Sequence, residues 1–199
     1  MRITGRNKVQ WDACAGFSMP ELFIVLLILT VIGAIAIPNV VTVVSDARLR
    51  GGASNFSGLL QNCRMLAVKE NRTKTAYLTV VGKEPIAYVK NAADSPVMTE
   101  SDPKVQLGAP LVRVTTPSGP GAPSALTSAT LGYTPRTDDL SFGHQGLPCA
   151  YSGGICTNYG FIYYFRDSRS HGKSGWAAIS ISPAGRIKRW FWNGEVWGS

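Results

Sequence analysis

Histidine is nearly absent from this chain. Its 199 residues hold two, His144 and His171, far apart in sequence. No G-x-S-x-G, no H-E-x-x-H and no glycine loop with a phosphate-holding lysine occurs. Carboxylates adjoin only at Asp138-Asp139, in a stretch with no supporting group. Nucleophilic, metal-assisted and paired-carboxylate chemistries all lack their residues. The chain is expected not to be an enzyme and to use no cofactor or metal.

Cysteine is also scarce, with four in all. Cys14 lies near the start. Cys63 falls on an apolar helical stripe and reads as a small buried hydrophobe. Cys149 and Cys156 flank a short Ala-Tyr-Ser-Gly-Gly-Ile loop and are candidates for a disulfide in an oxidising compartment. The alternative is a metal site with His144, but His-x4-Cys-x6-Cys supplies three ligands at no familiar spacing.

Charge is missing altogether from residues 22–37, where Thr30 is the only hydroxyl. Apolar character resumes after Pro38 and Asn39. As a helix, residues 22–44 would extend roughly 34 Å, enough for a hydrocarbon core of about 30 Å. Arg2, Arg6 and Lys8 precede the run and favour keeping that end in the cytoplasm. Glu21 sits alone at its head, where a carboxylate needs a partner. No A-x-A-like cleavage site follows the run; instead Gly16, a small residue, precedes it. A cut after Gly16 would remove a basic leader and leave the apolar helix on the mature chain. Pro38, inside that helix, removes a hydrogen bond and is expected to kink it.

Gly16-Phe17-Ser18-Met19-Pro20-Glu21, followed by an apolar run containing Pro38, resembles the class III signal of type IV prepilins and type II secretion pseudopilins. The resemblance implies that a prepilin peptidase cuts between Gly16 and Phe17 and methylates the new amine. It further implies that Glu21 pairs with the Phe17 amine of an adjacent subunit, setting the register of a filament. The expected partners are the peptidase, other pilin or pseudopilin subunits and the inner membrane. The expected location is a single-pass anchor in the bacterial inner membrane with a periplasmic domain.

The remaining chain is expected to be α+β: a long membrane-spanning N-terminal helix packed against a C-terminal antiparallel sheet. Its segments are a leader (1–16), an assembly helix (17–44), an amphipathic continuation (45–72) and a β-rich domain (73–199). Phe56, Leu59, Leu60, Cys63 and Ala67 recur with helical spacing and form one stripe to dock on the sheet. Alternating runs predict strands at 75–81, 85–90, 140–142, 159–165, 176–181 and 186–192. Asn193-Gly194 predicts a two-residue hairpin turn. Residues 91–139, rich in Pro, Gly, Ser and Thr, read as a long surface loop with one strand near 105–114. The tail, with Phe142-Gly143 and Gly185-Arg186-Ile187-Lys188, resembles the pseudopilin H and minor-pilin T group.

The formal charge is +8, and the leader's three cations and one acid account for +2 of it. That excess suits an anionic partner but also simply maintains solubility. The most suggestive outer stretch is 185–192. With period two, Arg186, Lys188, Trp190 and Trp192 share one face, and Ile187, Arg189 and Phe191 the other. Cations beside flat aromatics suit phosphates and unstacked bases. Arg186, Lys188, Arg189 and Trp190 are therefore nucleic-acid candidates. Some relatives in the T group carry a Gly-Arg-x-Arg motif that binds DNA during uptake; Lys188 here replaces the second arginine and loses its bidentate fork. The expected function is a minor pseudopilin or minor pilin subunit. The alternatives are a DNA-binding minor pilin and a single-span membrane-anchored extracytoplasmic binding protein.

Overall fold

The computed structural model of the chain describes residues 18–108, 111–119, 121–168 and 175–199, apart from the side chains of residues 35–39, 41 and 42. Helix α1 (Met19–Glu70) is followed by β1 (Lys74–Val81), β2 (Glu84–Asn91), β3 (Lys104–Gln106), β4 (Leu111–Val114), α2 (Ser128–Leu131), β5 (Pro135–Arg136) and β6 (Leu140–Phe142). Then come β7 (Pro148–Ser152), β8 (Ile155–Asn158), β9 (Gly160–Asp167), β10 (Trp176–Ile181), β11 (Ile187–Trp192) and β12 (Trp197–Gly198). The chain divides into two compact units within α1, between Val40 and Val41.

Two parts of the expected architecture are corrected. Among the described residues, no helix is long and apolar enough to cross a membrane. A span needs about 20 predominantly apolar residues. The membrane-spanning helix and the single-pass inner-membrane anchor with a periplasmic domain are therefore not supported. The second correction concerns the strands, which form two sheets rather than one. The first runs β3-β2-β1-β6-β7-β8; the second runs β12-β11-β10-β9-β4, with β5 alongside β9. Among the described residues, all pairings are antiparallel except that of the two-residue β5.

In the second unit, α1 buries one stripe: Leu49, Ala53, Phe56, Leu59, Leu60, Cys63 and Ala67. The spacing puts them on one helical face, and both sheets close over it. The first sheet contributes Ala76, Ala87, Val89, Leu140 and Phe142, and the second contributes Phe161, Tyr163, Phe165, Ala177, Ile179 and Ile181. Phe56 meets Tyr163 and Phe165 edge-on, with ring centroids 5.2 and 5.4 Å away. Asn71 ends the helix at a φ of +52°. The Arg72 N–H reaches back to the Ala67 carbonyl and the Asn71 N–H to that of Val68, so orphan carbonyls of the last turn are satisfied. Ser45 donates to buried Asp167 at 2.6 Å, fastening the helix to the end of β9.

Strand alternation gives the second sheet a second apolar face. Ile162, Tyr164, Ala178 and Trp190 point away from α1 and pack with Leu126. The stretch 91–139, expected as a surface loop with one strand near 105–114, holds β3, β4, α2 and β5, and its Leu126 and Leu131 cover this outer face. Its Leu126 N–H donates to the Tyr164 hydroxyl at 2.9 Å, and Trp197 Nε1 donates to the Ser124 carbonyl at 2.8 Å. Residues 149–156, read as a flexible loop, are most of a hairpin instead. Gly153 and Gly154 form its turn at φ of +57° and +88°, a conformation that glycine adopts without strain. The turn after β11 spans four residues rather than two, because Asn193 Oδ1 accepts from the N–H groups of Glu195 and Val196.

Close packing gives two helical glycines opposite behaviour. A Cβ on Gly52 would lie 2.6 Å from the Leu107 carbonyl oxygen, whereas one on Gly58 would meet nothing within 4 Å. Alanine normally stabilises a helix over glycine by about 0.5–1 kcal/mol. In chemical denaturation, Gly58→Ala is expected to gain about that amount. Gly52→Ala is expected to lose about 1–3 kcal/mol through overpacking.

Candidate functional site

The head of α1 is built by a local cap. Ser18 precedes the first helical residue, and its backbone N–H points at Glu21 Oε2 at 3.4 Å. Ser-x-x-Glu is the spacing of a capping box, in which an acid at the third position covers an orphan N–H. That role for Glu21 was readable from the sequence and was missed. Beyond it, every large apolar side chain from Leu22 to Ile32 is between 43 and 69 % exposed. The one hydroxyl in the run, Thr30, is spent on the carbonyls of Leu26 and Leu27 at 3.0 and 2.8 Å. This helix therefore offers apolar surface on all sides with a single acid at its start. Gly16 and Phe17 lie outside the described residues. α1 continues across Pro38, whose side chain also lies outside them.

The nucleic-acid candidates do not form one surface. Register places Trp190 opposite Ala178 and Arg189 opposite Ile179, so the two look to different sides of the second sheet. Trp190 is buried in the outer core, where its Nε1 donates to Ser180 Oγ at 2.9 Å. Its ring is not free to stack on a base. Arg189 donates across the inner side to Ser54 on α1 at 3.3 Å. Arg186 and Lys188 remain together, facing a cavity of about 320 Å³ that Thr130, Tyr133, Ser180 and Ser182 also line. Lys188 Nζ lies 3.8 Å from the centre of the Trp190 ring, a cation–π arrangement that fixes the ammonium. The Arg186 N–H donates to Ser182 Oγ at 3.2 Å. The turn before it closes through Gly185 at φ of +81°, and the Gly185 carbonyl accepts from Arg64 on α1 at 3.3 Å. Burial pushes the Tyr133 phenol up, and its hydrogen bond with Ser180 partly offsets this. The cavity thus sets two cations among hydroxyl groups. Two of those hydroxyls, on Thr130 and Tyr133, come from a segment given no chemistry in the sequence.

Cys149 and Cys156 are joined as a disulfide across β7 and β8, with Cα atoms 5.3 Å apart. The two sulfurs are bonded to each other, so the His144 set does not form a metal site. Among the described residues no cluster of three or more metal-ligating side chains occurs. Asp138 and Asp139 are separate ion-pair partners, of Arg136 at 2.7 Å and Arg113 at 3.2 Å.

Comparison with known proteins finds no matching family model, no matching curated protein and no matching solved structure.

Cys63 is the one free cysteine among the described residues, and it is fully buried on the α1 stripe. Burial pushes its thiol up from 9.0 to about 12, against a smaller opposing pull from Lys74. The native protein is expected to resist iodoacetamide at Cys63 at mildly alkaline pH and to react there only after unfolding. The folded thiol holds its proton above the unfolded value. Its contribution to stability is therefore complete below pH 9 and is lost as pH rises toward about 12. The loss has a limiting slope of about 1.4 kcal/mol per pH unit. Cys63→Ala should remove that part of the alkaline decline in denaturation midpoints.

Proposed function

We propose that the chain is a filament subunit of the minor pilin or minor pseudopilin kind. It is matured by a prepilin peptidase between Gly16 and Phe17 and joins other such subunits through its N-terminal helix. The observation that carries this is the exposed apolar run from Leu22 to Ile32 with Glu21 at its head. About half of each such side chain is still exposed, so covering the rest is worth about 1 kcal/mol apiece, and neighbouring helices have much to gain by packing on the run. Covering the run also desolvates Glu21, whose charge then needs a cation. The amine of Phe17 in an adjacent subunit is that cation.

Glu21→Gln separates the two roles of this residue. Glutamine serves equally in a capping box, so helix content by circular dichroism is expected to hold. Removing one partner of a buried pair costs about 3–5 kcal/mol, so co-purification with neighbouring subunits is expected to fall at least about tenfold. Wild-type incorporation of the variant, or an intact Met1 in the assembled protein by mass spectrometry, would overturn the proposal.

A second function, holding DNA, is favoured by one observation. Arg186 and Lys188 face one cavity, and neither enters an ion pair among the described residues. If both neutralise phosphates, the double variant Arg186→Ala/Lys188→Ala should bind duplex DNA more weakly in a mobility-shift assay. Its salt dependence should flatten by about 0.9 in log–log slope for each phosphate left without its cation. Identical, salt-insensitive behaviour of both proteins would remove this role.

A further inference from the structure

Among the described residues, two strand edges that line one cleft are left without partner strands. Along one edge, β1 pairs with β2 over its whole length. Along the other it pairs with β6 only from Lys74 to Ala76. From Tyr77 to Val81 that second edge has no strand beside it among the described residues. Among the described residues, β4 is the last strand of the second sheet and pairs with β9 alone. The two open edges line one cleft of about 450 Å³, with Leu78, Thr79 and Val80 on one wall and Leu111, Val112 and Arg113 on the other.

The chemistry of this cleft is that of a missing strand. Each open edge presents unpaired backbone N–H and C=O groups. Leu78-Thr79-Val80-Val81 is made wholly of residues at home in strands and carries none of the lysines, prolines or charges that usually guard an edge. Val80 is 66 % exposed and Val112 is 48 % exposed, so both walls also hold uncovered apolar surface. Leu107 and Phe165, both buried, lie deeper in the cleft. The charged lining is Lys83 and Arg113, with no carboxylate. Arg113 is held in place by Asp139 and by the Thr137 carbonyl. The chain itself carries +8, or +6 without the +2 of residues 1–16, which disfavours a second copy beside these cations.

We propose that the cleft between β1 and β4 is a strand-addition site, which takes an extended segment of another polypeptide, apolar at alternate positions and acidic between them. The segment would ladder with β1 and β4 together and join the two sheets through one inserted strand. Such a mode draws affinity from main-chain hydrogen bonds and specificity from alternate side chains. It is independent of assembly through the N-terminal helix.

The test uses the full chain and the synthetic peptide acetyl-Thr-Val-Glu-Val-Thr-Val-amide. Two controls accompany it: the same peptide with alternate backbone nitrogens methylated, and one with lysine in place of glutamate. Amide hydrogen exchange at residues 77–81 and 111–114 should slow by about tenfold or more near saturation with the first peptide. The methylated peptide should give no protection, because it cannot complete the ladder. The lysine peptide should bind more weakly, and Lys83→Glu should erase or invert that preference. Unchanged exchange with the first peptide would overturn the proposal, as would equal protection by the methylated one. So would protection that grows with protein concentration in the absence of peptide, since a second copy would then be filling the cleft.

Discussion

One stripe of one helix gives both sheets their inner surface. An antiparallel sheet with a single apolar face has to bury it against something. Here two sheets use the same seven residues between Leu49 and Ala67. Phe56 is the centre of that arrangement, fully buried and edge-on to two aromatic rings of β9. The polar fastenings follow from it. Arg64, on the same helix, reaches the Gly185 carbonyl, Ser54 accepts from Arg189, and Ser45 holds Asp167. Each joins α1 to a strand or turn of the second sheet, which keeps that sheet in register with the stripe. Gly52 permits the same closeness on the other flank, where the segment between β3 and β4 presses on the helix.

The outer face of the second sheet depends on residues far from α1 in character. A stretch rich in proline, glycine and serine supplies Leu126, which plugs the face, and the short α2 capped by the Thr127 side chain. This cover draws Trp190 inward and leaves Lys188 above its ring. The same cover brings Thr130 and Tyr133 to Arg186 and Lys188. A cationic pair that would be a plain solvated edge on a bare sheet thus becomes one wall of a cavity.

The helical stripe was legible because helical spacing leaves little choice of face: Phe56, Leu59, Leu60, Cys63 and Ala67 all lie on the buried side. The alternation in 176–181 was legible for the same reason. What alternation does not carry is which strand lies beside which. The division into two sheets therefore could not be read from a pattern that is the same in either arrangement. The β7–β8 hairpin was missed because Cys, Ser and Gly are weak strand formers, although Gly153-Gly154 is a turn signal in its own right. Leu126 and Leu131 were missed because isolated apolar residues have no period. Asp138-Asp139 drew notice as a pair of acids, yet each answers a different arginine. At the amino-terminal end, hydropathy and length suggested a membrane span. Ser18 and Glu21 meanwhile carried a capping signal that explains the acid locally.

That local explanation does not exhaust the demand for a counter-charge at Glu21. In water, the carboxylate is supported by the unsatisfied N–H groups at the start of the helix, worth about 0.3–1 kcal/mol at an exposed site. Its bond to the Ser18 N–H, at 3.4 Å, is at the long end for such a contact. Both contributions are small beside the several kcal/mol needed to take an ion out of water. While Leu22 to Ile32 stay exposed, the cap is enough. Once other apolar surfaces close over the run, water leaves the carboxylate as well, and the cap no longer offsets the loss. The better covered the apolar helix becomes, the more strongly its one acid selects for a cation at the interface. In the proposed filament, a residue that begins as a helix cap would thereby discriminate one packing register from another.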